Sequence, residues 1–408
     1  MTTSASASSA DGINTPTPPD WRRNQAAVTI ATFIGFTGFT LSMPFLPLYF
    51  EQLGVHGTGA LAIWSGVSLG ITPAITALMA PAWSRVAERR GRKLMVERSL
   101  LAFVIVMAGL AAVRAPWQVL ALRALLGFFA GYGPIAITMA AESAPPEHMA
   151  MAIGWVQTAQ RLGPTLGPVM GGFLAASVGL RQTFVVAAVL YLGALILVFV
   201  GYREEGLRAP AVPGGADGPP TWTTVRRMPH FMLYLGMIFG VQLADRSFGP
   251  VLPLYLGEVG TPAEHVAFVS GTLFTITAGA AAVGHHLTSK LLRRWRPSMV
   301  VAWAATCAAV GALVFGLAPP TEVLMATAAI FGIGIGIATT TVYTAAGRAT
   351  VVSERGVVFG YLTTAYLTAL ATSPVIAGFV GARSMRAVFF LDGVGLAAIA
   401  ALVRRRTL

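Results

Sequence analysis

Long apolar runs, separated by short polar and basic stretches, are the dominant pattern along this 408-residue chain. A helix that crosses a hydrocarbon core of about 30 Å needs about 20 apolar residues. Twelve runs qualify: 25–50, 61–83, 94–113, 117–140, 150–176, 182–201, 230–256, 266–288, 298–318, 321–344, 355–379 and 384–403. They are apolar on every side. A membrane barrel would instead show short alternating strands. The pattern therefore predicts an all-α integral membrane protein with twelve transmembrane helices.

The longest interior loop, residues 202–229, holds Glu204, Glu205, Pro213, Gly214, Gly215, Pro219 and Pro220. Such a polar, Pro/Gly-rich stretch reads as a linker. It leaves a six-helix half on each side, residues 21–201 and 230–408. Residues 1–20 are rich in Ser, Ala, Thr and Pro and lack the basic start of a signal peptide. A disordered tail is expected there. An internal repeat supports two related halves. Pro44-Phe45-Leu46-Pro47-Leu48-Tyr49 near the end of span 1 matches Pro250-Val251-Leu252-Pro253-Leu254-Tyr255 near the end of span 7, and Gly54 and Gly260 keep the same 206-residue offset.

Composition agrees. Apolar residues make up 55% of the chain and charged ones 11%. Soluble domains carry about 25% charged residues. The net charge of +12 would point to nucleic acid in a soluble protein, but here the basic residues crowd the loops. With the N-terminus placed inside, 21 Lys and Arg face the cytoplasm, 4 face outward and 3 fall within spans, as the positive-inside rule asks. Both termini are thus expected to be cytoplasmic, in the inner membrane of a bacterium. The partners expected are the bilayer, a small-molecule substrate and protons, with no nucleic acid and a monomeric state.

Several chemistries are disfavoured. The single cysteine, Cys307, allows no intramolecular disulfide or multi-cysteine metal site. Gly332-Ile333-Gly334-Ile335-Gly336 lies in an apolar run with no preceding strand and no phosphate-reading Lys after it, so it is not a nucleotide loop. His285 and His286, adjacent at a helix end, point to different faces and make a weak metal site. No nucleophile–base–acid grouping stands out. Neither a cofactor, a metal nor an enzyme activity is expected.

The charges inside the spans are the candidate chemistry, because a charge at mid-bilayer costs about 2.5–3.5 kcal/mol and usually faces an interior cavity. Arg123, Arg161, Asp245 and Arg246 qualify, and Asp245 reads as the single acid well inside a span. Two roles stay open for it: a proton-titrating carboxylate, or a structural ion pair with Arg123 or Arg161. Neighbours on a helix point about 100° apart, so Asp245 and Arg246 need not pair. Glu142 and Asp392 read as nearer the span ends. Phe36, Tyr132, Trp155, Gln157, Gln242, Tyr343 and Tyr361 are candidates to line a midplane pathway. A broad apolar pocket with few polar anchors suits amphipathic compounds.

Four motifs carry a family resemblance. Between spans 2 and 3 stands Ser84, then Glu88-Arg89-Arg90-Gly91-Arg92-Lys93. Span 5 reads Gly154, then Gly163, then Gly167-Pro168-Val169-Met170-Gly171-Gly172. Gly163, Gly167 and Gly171 share one helical face suited to close packing in lipid. Span 1 has Gly38 followed by Pro44 and Pro47, and span 4 has Arg123, Gly127 and Gly131. Together these resemble the major facilitator superfamily, in its twelve-span drug:proton antiporter branch. Ser84 and Glu88 stand where that family has Gly and Asp, and span 1 carries no acid before Glu51. The resemblance implies a proton-coupled exporter of amphipathic molecules or drugs, working by alternating access. It also implies conformational roles for the basic loop and the glycine face of span 5, and a part in proton coupling for Arg123. A metabolite or nutrient carrier of the same fold, importers included, is the alternative. A membrane sensor or enzyme on a transporter scaffold ranks below it.

Overall fold

A computed structural model of the chain describes residues 21–145, 148–204, 230–350 and 355–404. The expected tail at 1–20 and nearly all of the expected linker lie outside this set, as do the side chains of Glu88 and Arg89. Among the described residues there is helix and no strand. Helix α1 (Trp21–Leu41), a 3-10 turn (Met43–Phe45) and α2 (Leu46–Gln52) form span 1. Spans 2 and 3 are α3 (Thr58–Arg90) and α4 (Arg92–Ala112). Span 4 is α5 (Pro116–Phe129) plus α6 (Tyr132–Ser143), and spans 5 and 6 are α7 (Met149–Val178) and α8 (Leu180–Gly201). Spans 7 to 12 are α9 (Phe231–Glu258), α10 (Ala263–Leu291), α11 (Pro297–Gly316), α12 (Thr321–Arg348), α13 (Arg355–Gly381) and α14 (Met385–Arg404).

By length and composition, nine spans among the described residues are apolar enough to cross a membrane. The other three, spans 4, 5 and 7, have sequence reasons to fall short. Span 4 is split at Gly131, whose φ of 105° ends one helix and starts the next. Span 5 carries Arg161 among glycines and prolines, and span 7 carries Asp245 and Arg246. Span 1 is also interrupted, because Pro44 and Pro47 withhold backbone N–H groups just after Leu41.

The repeat seen in the sequence is built into the packing. The Tyr49 hydroxyl donates to the Leu110 carbonyl and the Tyr255 hydroxyl to the Phe315 carbonyl. The same two rings rest on Phe184 and Phe389, at 5.0 and 4.8 Å between centroids. Gly54 and Gly260 have φ of 88° and 92° and end the corresponding helices. One buried apolar core runs through both halves, and a smaller cluster around Phe231, Tyr234 and Val342 lies within the second. The halves meet along two seams, span 2 against span 11 and span 5 against span 8.

The loop between spans 2 and 3 ties the first half together at the side where the described chain begins and ends. Gly91 turns the chain with a φ of 96°. Arg92 pairs with Glu142 at the end of span 4, and its backbone N–H donates to Glu204 Oε1 at 2.7 Å. Lys93 Nζ donates to the Phe199 carbonyl at 2.7 Å. The Arg98 guanidinium sits 3.5 Å over the Trp83 ring. Glu142, read from the sequence as near a span end, is a partner of the basic loop.

Candidate functional site

The two seams follow one design. In span 5 a Cβ at Gly172 would strike the Ala267 carbonyl, and in span 8 a Cβ at Gly271 would strike the carbonyl of Pro168. In span 11 a Cβ at Gly378 would lie 2.5 Å from the Ala62 carbonyl, and in span 2 a Cβ at Gly66 would strike the carbonyl of Pro374. Pro168 and Gly172 map onto Pro374 and Gly378 by the same offset as the tyrosine repeat. All these contacts lie on the side away from the described chain ends. About five helical turns earlier on the same faces stand Gly154 and Gly360. Neither has an atom within 4 Å of a Cβ position. Arg161, Thr158, Thr364 and Leu78 are exposed near that side, Leu78 to 72%. The halves therefore close at the far side and splay toward the side of the termini.

The glycine face of span 5 finds its partner in span 1. A Cβ at Gly163 would lie 2.8 Å from the Thr37 nitrogen, and at Gly167 2.6 Å from the Thr37 carbonyl. One at Gly171 would strike the Leu41 carbonyl. Gly154 does not share this packing, because it lies on the seam face and in open space.

The charges divide between the halves. Arg123 is buried at 3% exposure, and its Nη2 donates to the Ser42 hydroxyl at the break in span 1. The Thr72 hydroxyl donates to the Arg123 carbonyl at 2.9 Å. No carboxylate pairs with Arg123 among the described residues. In the second half Asp245 pairs with Arg246, Oδ2 to Nε at 3.1 Å, and Arg246 Nη2 donates to the Tyr366 hydroxyl at 3.4 Å. Helical angle leaves this pairing open, and the long arginine arm folds back to close the gap. Among the described residues the ion-pair partner of Asp245 is this neighbour, and neither Arg123 nor Arg161 pairs with it.

Two further groups belong to this cluster. Asp392 is buried at 5% exposure, and Ser247 donates to its Oδ2. It lies near Asp245 and has no cation partner among the described residues. Span 12 begins at Met385, within one residue of the run read from the sequence, so Asp392 lies two turns in; what the structure adds is that this second acid is buried. His285 is half-buried, with Nδ1 2.6 Å from the Thr340 hydroxyl and within electrostatic reach of Arg161 and Asp245. A signal for His285 does exist in the sequence, since it follows Gly271 by close to a whole number of helical turns, which puts it near the seam face.

The pathway candidates separate as well. Gln242 is buried, with Nε2 on the Thr339 hydroxyl at 3.1 Å and its Oε1 unpartnered. Trp155 and Gln157 are exposed on the span-5 segment nearest the termini. Tyr343 lies against Phe359 at 6.1 Å, and Tyr361 against Phe231 at 5.9 Å, both half-buried. Tyr132 is a core residue, packed against Phe36 and Phe103 at 5.8 and 5.9 Å. The Gly332–Gly336 run packs span 10 against span 8 at Gly332 and Gly336, and against span 9 at Gly334.

Residues 28–322 match the Major Facilitator Superfamily. The chain belongs to that superfamily. It is a multi-pass membrane transporter. Among curated relatives, Multidrug resistance protein MdtG of Dickeya zeae is 35% identical over 285 residues, covering 70% of this chain and 69% of that protein. The MdtG of Escherichia coli O17:K52:H18 is 35% identical over 286 residues, covering 70% of each. Among solved structures, a bacterial homologue of the human lysosomal transporter Spinster, inward-facing and unoccupied, superposes with a TM-score of 0.74 at 16% identity, covering 96% of both chains. The human organic anion transporter MFSD10 gives 0.64 at 18% identity, covering 94% of this chain and all of that one. These likenesses show the shared major facilitator fold.

Proposed function

We propose that this major facilitator is a proton-coupled exporter of amphipathic small molecules, with both termini cytoplasmic and the open side facing the cytoplasm. The observation that supports it most is the pair of matched seams, tight at one end and open about five turns away at Gly154 and Gly360. A wedge of that shape admits substrate from the side of the termini, and rocking about the seams would expose it to the other. The polar groups nearest the wedge are His285, Arg161 and the Asp245–Arg246 pair, with the hydroxyls of Thr158 and Thr364 toward its mouth. That balance favours apolar bodies with one or two polar groups.

Asp245 is the proposed proton carrier. Protonation would remove its charge, release Arg246 toward Tyr366 and alter the field felt by a bound cation. Arg161 faces this cluster across the seam, while Arg123 is a fixed charge held by Ser42. Export is also the reading in keeping with the names of the curated relatives.

Everted membrane vesicles containing the protein test this. With the interior acidified, the cationic dye ethidium should accumulate inside, and nigericin should release it. Dye that stays outside, or accumulation that ignores the pH gradient, would overturn proton-coupled export and favour a metabolite carrier of the same fold.

A further inference from the structure

Spans 8, 9 and 10 leave an apolar groove of about 360 Å³ on the outer surface of the second half. Leu291, Trp295, Met299, Trp303, Cys307 and Ile337 line it. Trp295, Met299 and Trp303 are exposed. The groove runs from the start of span 9 at Pro297 to Cys307, which is about 15 Å along a helix. That is one leaflet of a core about 30 Å thick.

The end of the groove nearest the termini is strongly basic. Lys290, Arg293, Arg294 and Arg296 crowd the turn between spans 8 and 9, all exposed. Arg404, at the end of span 12, lies 5.6 Å from the Trp303 ring centroid, directly beside the groove. Among the described residues none of the five has a carboxylate partner. The described acids of this half outside the cluster, Glu258, Glu264 and Glu322, belong to the opposite side of the membrane. The indole of Trp295 at the mouth of the groove, with arginines around it, matches the interface between acyl chains and phosphates.

We propose that this groove binds one anionic phospholipid of the surrounding leaflet, with an acyl chain along span 9 and its phosphate at Arg293, Arg294 and Arg404. A zwitterionic lipid offers the same chain but its choline or amine repels the rim, so headgroup charge is the selective feature. The site is separate from the substrate wedge and does not rest on the direction of transport.

The test uses the purified full-length protein in mixed micelles, with phosphatidylglycerol or phosphatidylcholine carrying brominated acyl chains as probes. Tryptophan quenching should report binding of phosphatidylglycerol at least about tenfold tighter. The double variant Trp295→Phe, Trp303→Phe should remove most of that quenching, and the triple variant Arg293→Gln, Arg294→Gln, Arg404→Gln should bring the two lipids within about twofold. Cys307 supplies a readout in the unaltered chain: phosphatidylglycerol should slow its alkylation by N-ethylmaleimide several-fold more than phosphatidylcholine does. Equal quenching by both lipids, a preference that survives in the triple variant, or alkylation indifferent to headgroup would each overturn the proposal.

Discussion

The two halves share a backbone plan and differ in what they bury. Both hold the repeat tyrosine on a span carbonyl, at Tyr49 and Tyr255, and both offer a proline carbonyl to a facing glycine. Yet the first half buries a cation, Arg123, on Ser42, and the second buries a carboxylate, Asp392, on Ser247. The first half breaks spans 1 and 4, whereas spans 7 and 10 run unbroken. Duplicated scaffolding thus keeps its contacts where the halves must meet and diverges where charge is handled. Interior charge costs energy wherever it is placed in lipid, so each half settles its own with a local hydroxyl or neighbour.

The sharpest way to break this comparison is at the carboxylate cluster. Asp245→Asn should cut pH-driven transport at least about 100-fold, equivalent to about 2.7 kcal/mol, while leaving ethidium binding measurable by fluorescence. Full pH-driven flux would remove Asp245 from the coupling role.

Next come the seams. Gly172→Leu and Gly378→Leu should be equally damaging, each disfavouring far-side closure by about 1–3 kcal/mol through overpacking. Spin labels at Leu78→Cys and Thr364→Cys, in a Cys307→Ser background, should then report a shorter distance as the termini side closes. Gly154→Leu and Gly360→Leu should leave that distance unchanged and still block turnover. A distance unmoved by Gly172→Leu would mean that the seams are not the gate.

These seams show how far the sequence can be read. The four-residue spacing of Gly163, Gly167 and Gly171 declares a packing face, because helical angle follows from spacing alone. It does not say which span fills that face, and Gly154 shares the motif although it belongs to the seam. The repeat offset is visible in six residues around Pro44 and again at Pro168 and Pro374, but that the second pair sits on the contact between halves emerges only from the structure. Asp245 and Arg246 are legible as interior charges, but their pairing depends on how the arginine arm folds back. His285 reads as a helix end because its apolar run stops at 288, whereas span 8 continues to Leu291; the depth of Asp392 is legible, but its burial against Ser247 is not.

Smaller effects sharpen the comparison further. Ser42→Ala and Ser247→Ala remove the single hydroxyl from opposite buried charges, and each should cost about 1.5–3 kcal/mol. Thermal unfolding in detergent would measure both, and a loss confined to one half would mean that the other charge has a partner of its own. Smallest of all, Tyr49→Phe and Tyr255→Phe should each cost about 0.5–1.5 kcal/mol and add in the double variant, since they lie in separate halves. Strong non-additivity would couple the halves through their far ends.

The residues at the closed end of both seams have a thermodynamic property in common. Ala62, Gly66, Pro374 and Gly378 on one side, and Pro168, Gly172, Ala267 and Gly271 on the other, are all Gly, Ala or Pro. Such residues have essentially no rotamer freedom to lose when they are covered. Coming together or apart therefore freezes and frees no torsions in these eight residues. A surface of this kind can be parted and rejoined on every turnover with little entropic bias toward either state, which leaves the choice between them to whatever is bound inside.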